Sequence, residues 1–162
     1  MKQTQNFMSN DSLLFFIAGI MQGSFREMAL HDQSYRAELR RLLIEYFPDC
    51  RVYDPRTNHV NSIAYDEKKG RETFFMHNKM CGSEVDVLIA FVPEASMGTA
   101  IEMWEAYQAG AVVITISPLA VNWAIRFLSH VVYPDFTSFL EALKRGKIAE
   151  IIDFHRNVKG KY

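Results

Sequence analysis

The sequence contains few cysteines and has almost no net charge. Its 162 residues include only two cysteines, Cys50 and Cys81, and the formal net charge is −1. Two isolated thiols predict free residues of a reducing compartment, and without a close cluster of His and Cys the pattern gives no sign of zinc. A near-neutral chain also lacks the strongly basic face that nucleic-acid binding usually needs. The composition therefore favours a small-molecule partner over a nucleic acid.

Long hydrophobic runs are missing as well. The apolar run at residues 13–21 has nine residues, which is too short to cross a bilayer. It also lacks the basic leader and the small-residue cleavage site of a signal peptide, since Lys2 is the sole cation upstream and Asp11 lies just before it. We interpret the run as a buried first strand and expect a cytoplasmic protein with no membrane partner.

Apolar strands alternate with amphipathic helices along the rest of the chain. This alternation predicts an α/β, flavodoxin-like (Rossmann-like) three-layer sandwich with a mainly parallel sheet of about five strands. The predicted strands are 13–18, 51–53, 85–92 and 111–117, and the predicted helices are 33–47, 67–80, 99–109, 121–128 and one that Asp135 caps and that ends at Gly146.

The chain is expected to form a single domain over residues 1–162, with a core at about 13–146 and flexible termini. On the first helix, Arg36, Arg40 and Arg41 are expected to lie mostly on the outside. Residues 54–66 are expected to form a polar loop of the length that is often functional.

Two loops follow strands at the expected ligand-binding edge of such a sheet. Residues 19–26 follow the first strand, and Gly19 and Gly23 there would let the backbone approach a ligand or receive an anion. The sequence has neither a Walker loop nor a GxGxxG fingerprint, and a glycine at a strand end is also an ordinary turn residue. Both interpretations of this loop stay open.

The second loop, residues 93–99, leads into a helix that Ser96 is placed to cap. Gly98 and Thr99 lie in its first turn, so N–H groups and the positive end of the helix dipole would face a phosphate or a sugar hydroxyl. Glu102 follows about one turn into the helix. A carboxylate there is either a reactive group or an ordinary acid that complements the helix dipole.

Three stretches resemble one family of enzymes. They read FIAGIMQGSFR, VDVLIAFVPEASMGTAIEMWEAYQAG and AVVITISP, and together they span roughly residues 13–118. They resemble the nucleoside 2-deoxyribosyltransferases and the related deoxynucleoside 5′-monophosphate N-glycosidases. The resemblance implies that Glu102 is a nucleophile that attacks the anomeric carbon, giving a covalent glycosyl-enzyme as in retaining glycosidases. It implies no cofactor and no metal.

The resemblance also assigns substrate contacts. A serine at position 96 matches the phosphate-binding serine of the monophosphate glycosidases, whereas the transferases carry a carboxylate there. Ser96 and Gly98, with Gly23 and either Ser24 or Arg26, would therefore favour a nucleoside monophosphate. Asn122 is more like the transferases. It matches a position that a neighbouring subunit contributes to the site, so a homodimer or higher homo-oligomer with shared active sites is expected.

Asn78 departs from the family pattern. The family usually places an aspartate 24 residues before the nucleophile, where it positions the sugar and handles the proton that the leaving base needs. An amide can form hydrogen bonds but cannot act as a general acid or base at neutral pH. Three alternatives follow: another group assists the base, turnover is slow, or the protein is a nucleotide-binding sensor. Asp86 is expected to be structural.

Overall fold

The computed structural model describes residues 12–159, whose strands form a five-stranded sheet. The strands are β1 (Leu14–Gly19), β2 (Arg51–Tyr53), β3 (Val87–Phe91), β4 (Val112–Ile116) and β5 (Val131–Tyr133). The helices are α1 (Ser34–Tyr46), α2 (Pro55–Asn58), α3 (Glu67–Cys81), α4 (Met97–Ala109), α5 (Trp123–Phe127), α6 (Phe136–Lys144) and α7 (Lys147–Lys159), and a 3₁₀ turn covers Ser62–Ala64.

All neighbouring strands are parallel, in the order β2-β1-β3-β4-β5. The order reverses between β1 and β3, because the chain leaves β1 toward β2 on one side and leaves β3 toward β4 on the other. Such a reversal opens a crevice at the carboxyl ends of the two strands, where α/β proteins bind ligands. The flavodoxin-like architecture expected from the sequence is confirmed.

Successive side chains of each strand point to opposite faces of the sheet, which divides the core into two layers. In β1, Phe15 and Ile17 face one layer, while Phe16 and Ala18 face the other, and all four are fully buried. Side chains of α1, α6 and α7 fill the first layer, and those of α3, α4 and α5 fill the second. Helices thus cover both faces of the sheet, as parallel strands require.

Several elements differ from the sequence-based expectation. The loop at 54–66 contains α2 and the 3₁₀ turn, and Asp54 caps α2 by accepting a hydrogen bond from the Arg56 backbone N–H. Strand β5 and helix α7 were not predicted. Ile148 and Ile152 of α7 are buried in the first core layer, so the packed core extends past residue 146. Residues 147–159, which belong to the expected flexible C-terminus, form α7. The remaining terminal residues, 1–11 and 160–162, lie outside the described residues.

Within residues 12–159 no helix is both long enough and apolar enough to cross a membrane. The first apolar run forms the interior strand β1, whose six residues are all buried.

Candidate active site at the strand-order reversal

The carboxyl ends of β1 and β3 form the floor of the crevice. The Ile20 backbone N–H donates to the Phe91 carbonyl oxygen at 3.1 Å, which holds the two strand ends together. From there the chain after β1 passes to the α1 face, whereas the chain after β3 passes to the α4 face. Both loops predicted from the sequence therefore begin at this point.

The glycines of the first loop are required by packing and backbone conformation. A Cβ at Gly19 would overlap the Tyr35 hydroxyl, and one at Gly23 would lie 2.6 Å from His31 Nε2. Gly23 also has φ of 56°, in the left-handed region that favours glycine. Ser24 and Arg26 are exposed. These contacts account for both glycines without a ligand, and a ligand role for the four residues stays a prediction.

Ser96 caps α4, as the sequence predicts. Its Oγ accepts the Thr99 backbone N–H at 3.4 Å and lies 2.9 Å from Thr99 Oγ1. A Cβ on Gly98 would meet no atom within 4 Å, so the space over this first turn is open. The remaining N–H groups of the turn and the positive end of the helix dipole meet this open space, which suits an anion or a hydroxyl group.

Glu102 lies half-buried on α4, next to Met103 of the second core layer. Within the described residues its carboxylate has no hydrogen-bond partner. Burial raises the pKa of Glu102 to about 7, and the Arg36 guanidinium acts in the opposite direction. Near neutral pH the carboxyl is therefore divided between its acid and its carboxylate form. The carboxylate form is poorly solvated, which makes it more reactive toward an electrophile.

Arg36 is buried rather than on the outer face of α1, contrary to the sequence-based expectation. Its guanidinium donates to the Ile17 and Gly19 carbonyl oxygens at 2.9 and 3.0 Å, and to Asp54 Oδ1 at 3.1 Å. It also donates to Gln33 Oε1 at 2.8 Å. Only 2% of Arg36 is exposed. The position tolerates a buried cation because these acceptors replace water.

Asn78 uses its amide within its own helix. Nδ2 donates to the Phe74 carbonyl oxygen at 2.9 Å, while Oδ1 is buried without a hydrogen-bond partner among the described residues. The group that Asn78 leaves unpaired is thus a buried acceptor oxygen. Asp86 Oδ2 accepts the Leu14 backbone N–H at 2.8 Å, which confirms its structural role.

Asn122 caps α5 on the surface. Its Oδ1 accepts the backbone N–H groups of Ala124 and Ile125 at 3.0 and 3.3 Å, and the residue is exposed. The next residue, Trp123, is 76% exposed. The contribution of Asn122 to a neighbouring subunit's site stays a prediction.

A cleft of about 600 Å³ opens on the α1 side of the crevice. Its walls include Ile20, His31, Tyr35, Phe91 and Phe136. In its wall, the Tyr35 hydroxyl donates to the Ile20 carbonyl oxygen at 3.2 Å, and the Tyr35 ring stacks on Phe91. Ser96, Gly98 and Glu102 do not line this cleft. Burial raises the pKa of Tyr35, and the Glu102 charge adds to that rise.

Sequence reasoning missed Tyr35, Tyr53 and His77. Tyr53 Oη lies 3.1 Å from His77 Nε2, and the Glu102 charge contributes to the raised pKa of Tyr53 after burial and the Asp54 and Cys81 charges. His59 lies 3.0 Å from the Tyr65 hydroxyl, within hydrogen-bond distance, and contacts the His77 ring. The one sequence signal for Tyr53 was its place at the end of a strand. Across 12–159, no group of His, Cys, Asp and Glu is arranged to hold a metal ion.

The fold defines a class, the flavodoxin-like α/β proteins whose site lies at a strand-order reversal. No protein-family model matches the chain, and no curated protein matches its sequence. Chains of solved structures do match, among them a 2-deoxyribosyltransferase from the psychrotolerant bacterium Bacillus psychrosaccharolyticus. The two share 16% sequence identity with a TM-score of 0.57, over 78% of this chain and 89% of that one. At this identity the likeness establishes a shared fold.

Proposed function

We propose that this protein is an enzyme that cleaves or transfers at the N-glycosidic bond of a nucleoside or its 5′-monophosphate, with Glu102 as nucleophile. The observation that carries the proposal is the Glu102 carboxyl itself. It lies next to the crevice, half-buried and without a hydrogen-bond partner among the described residues. Structural acids at helix starts are usually solvated or bonded to the first N–H groups, and in α4 Ser96 already serves as the cap.

Covalent catalysis explains this arrangement chemically. The carboxylate attacks the anomeric carbon while the bond to the base breaks, and a negative charge so close to the sugar stabilises the oxocarbenium-like transition state. A second base then displaces Glu102 in transfer, or water does so in hydrolysis. The solved 2-deoxyribosyltransferase with the same fold supports this class of reaction.

The N-terminus of α4 favours a substrate with a 5′-phosphate. Ser96 offers a hydroxyl, and the open space over Gly98 exposes the first backbone N–H groups of a helix of 13 residues. A phosphate is stabilised there by hydrogen bonds and by the helix dipole, whereas a carboxylate at position 96 would repel it.

We further propose a homo-oligomer with shared sites. Met97, Ile101 and Trp104 are 82, 40 and 51% exposed, and their i, i+4, i+7 spacing places them in one stripe along α4. Trp123 and Phe127 of α5 are also exposed. Exposed apolar side chains in such a cluster favour protein–protein contact. Asn122, beside Trp123, is the residue that a neighbour would contribute.

A nucleotide-binding sensor is the second candidate. The observation that favours it is Asn78, an amide that donates one N–H to the Phe74 carbonyl oxygen and has no acidic proton for a leaving base. A protein that binds a nucleotide without protonating the base would release no base, yet it would still use Ser96 and Gly98.

Incubation with a panel of nucleosides and their 5′-monophosphates, followed by chromatography for released base, separates the candidates. The enzyme proposal expects release from at least one substrate and loss of release in Glu102→Ala. Binding of a monophosphate in calorimetry without release from any member of the panel would establish the sensor instead.

A further inference from the structure

A tyrosine and a histidine meet on the α3–α4 side of the sheet. Tyr53 ends β2, His77 lies in α3, and Tyr53 Oη is 3.1 Å from His77 Nε2. His77 is only 8% exposed, whereas Tyr53 keeps part of its surface accessible. The Tyr53 ring stacks on Phe16 at a centroid distance of 5.5 Å, which fixes the direction of the phenol. The pair therefore joins a buried imidazole to a partly accessible hydroxyl group.

The surroundings of His77 keep it neutral. Burial lowers the pKa of His77 to about 4, and the positive charges of His59 and Arg36 act in the same direction. Tyr53 faces the ring from β2, Phe16 from β1, and His59 from the segment between α2 and α3. A neutral imidazole carries one N–H. The hydrogen bond between Tyr53 and His77 can run in either direction, according to which ring nitrogen carries the hydrogen. In the Nε2–H tautomer the Tyr53 oxygen accepts, and the phenol hydrogen is free for another acceptor.

Glu102 belongs to the same neighbourhood. His77 and Cys81 lie four residues apart on α3, so they share one face, and both are buried. The Glu102 charge, after burial, raises the pKa of Cys81, and it also contributes to that of Tyr53. Helices α3 and α4 pack directly against each other. The face of α3 that carries His77 is therefore turned toward Glu102.

Asn78 cannot supply a proton in this site. One hydrogen of its Nδ2 is donated to the Phe74 carbonyl oxygen. A neutral amide does not release a proton near neutral pH, whichever partners it has. A leaving base without a proton departs as an anion, which is slow for natural bases. The Tyr53 hydroxyl is a partly accessible proton donor that feels the Glu102 charge, and it is our candidate for the task.

We propose that Tyr53 donates the proton to the departing base and that His77 is a positioning residue that orients the Tyr53 hydroxyl. The inference rests on the proposed N-glycosidic activity. As Glu102 bonds to the anomeric carbon, the electron pair of the carbon–nitrogen bond moves to the base, and a base nitrogen takes the phenol proton. The Nε2–H of His77 stabilises the phenolate. When water or a second base displaces Glu102, the proton that the incoming group loses returns to Tyr53.

The test compares leaving groups in Tyr53→Phe. This variant keeps the ring and loses the hydroxyl. We expect a fall of about 10²–10⁴-fold in single-turnover cleavage of a natural base, and a fall of less than about 10-fold for an analogue whose base leaves readily as an anion. Tyr133→Phe is the matched control, because Tyr133 also ends a three-residue edge strand and is also half-buried. Its rates are expected to stay unchanged.

His77→Gln provides a second variant with the same expected leaving-group dependence, and it keeps the test valid should Tyr53→Phe fold poorly. Asn78→Asp supplies the rescue. Its carboxylic acid should raise the natural-base rate more in the Tyr53→Phe background than in the otherwise unchanged protein, because only the former lacks a donor.

Equal losses for both leaving groups in Tyr53→Phe and in His77→Gln would overturn the inference, since they would indicate a sugar-binding or structural role. Equal gains from Asn78→Asp in the two backgrounds would also overturn it. A failure of the proposed function looks different: the unsubstituted protein would release no base from either substrate, or Glu102→Ala would release it at the unsubstituted rate.

Discussion

Arg36 and Glu102 lie near the same end of the sheet, one reaching in from α1 and the other held on α4. Each guanidinium nitrogen of Arg36 donates to an oxygen at 2.8–3.1 Å. Glu102, by contrast, has no hydrogen-bond partner among the described residues, and burial raises its pKa to about 7. A charge that the fold pairs fully serves structure. A charge that the fold desolvates and leaves unpaired costs stability and is available for chemistry.

The largest expected effect comes from removal of the unpaired carboxyl. Glu102→Ala should lower base release by at least about 10⁴-fold, because no other group forms the covalent intermediate. Circular dichroism should show an intact fold. Glu105→Ala, one turn further along α4, is the matched control and should keep most of the activity. Unsubstituted turnover in Glu102→Ala on a confirmed substrate would refute the mechanism.

Breaking the paired charge should instead affect stability. Arg36→Met leaves Asp54 buried without its cation, and we expect a loss of about 3–5 kcal/mol in the free energy of unfolding. Arg41→Met on the same helix removes only exposed ion pairs with Glu38 and Glu45, so it should cost less than about 1 kcal/mol. Denaturant titration measures both variants. Similar losses of free energy of unfolding in the two variants would mean that the buried Arg36–Asp54 pair contributes no more to stability than the exposed pairs do.

The pH dependence of stability should reveal the cost of ionising Glu102. Below its ordinary pKa of 4.5 the carboxyl is protonated in both the folded and the unfolded chain, and it contributes nothing. As pH rises from 4.5 to 7, the unfolded chain loses the proton first, so the carboxyl lowers the free energy of unfolding. We expect Glu102→Gln to stabilise the protein by roughly 1–3 kcal/mol at pH 8 and by little at pH 4.

Thermal or urea unfolding at the two pH values provides that measurement. Glu105→Gln serves as the control for a general effect of charge on α4. If Glu102→Gln changes the free energy of unfolding by the same amount at pH 4 and at pH 8, the raised pKa of Glu102 is contradicted. The same pKa predicts that base release rises with pH and levels off above about 7.

Substitution of Ser96 should have a smaller effect, on the preference between a nucleoside and its 5′-monophosphate. A deoxynucleoside 5′-monophosphate is expected to bind more tightly than the free nucleoside. Ser96→Asp should reverse this preference by about 10-fold through repulsion of the phosphate, while the helix keeps a good cap and its stability. Ser96→Asn, also a good cap but uncharged, is the matched control. Calorimetry that shows tighter binding of the nucleoside to the unsubstituted protein would refute the phosphate site.

The fold was largely predictable, because continuous apolar strands and amphipathic helices depend on local pattern. Strand β5 was missed since it has only three residues, all partly exposed, and short strands are recognised mainly through their neighbours. Helix α7 was missed although Ile148 and Ile152 are four residues apart. Gly146 was interpreted as the end of the last helix, whereas it forms a turn between two helices. There the Gly146 backbone has φ of 73°.

The site was predictable only where one segment contains it. Ser96 and Glu102 lie on one loop and helix, so their relation could be inferred from spacing. Arg36 resembles a surface residue of α1, and nothing local indicates that it turns inward to Asp54. Tyr53 and His77 are 24 residues apart, and their meeting depends on how α3 packs against β2. Contacts of this kind are set by tertiary packing rather than by local sequence.

The most direct test of the account is detection of the glycosyl-enzyme. A substrate with a 2-fluorinated sugar should let the intermediate accumulate, because fluorine destabilises the oxocarbenium-like transition state of its breakdown. Mass spectrometry of the intact protein and of its peptides should then show the mass of one sugar on the peptide that contains Glu102, and no adduct in Glu102→Ala. Base release without an adduct, or with the sugar on another residue, would contradict the assignment of Glu102 as the nucleophile.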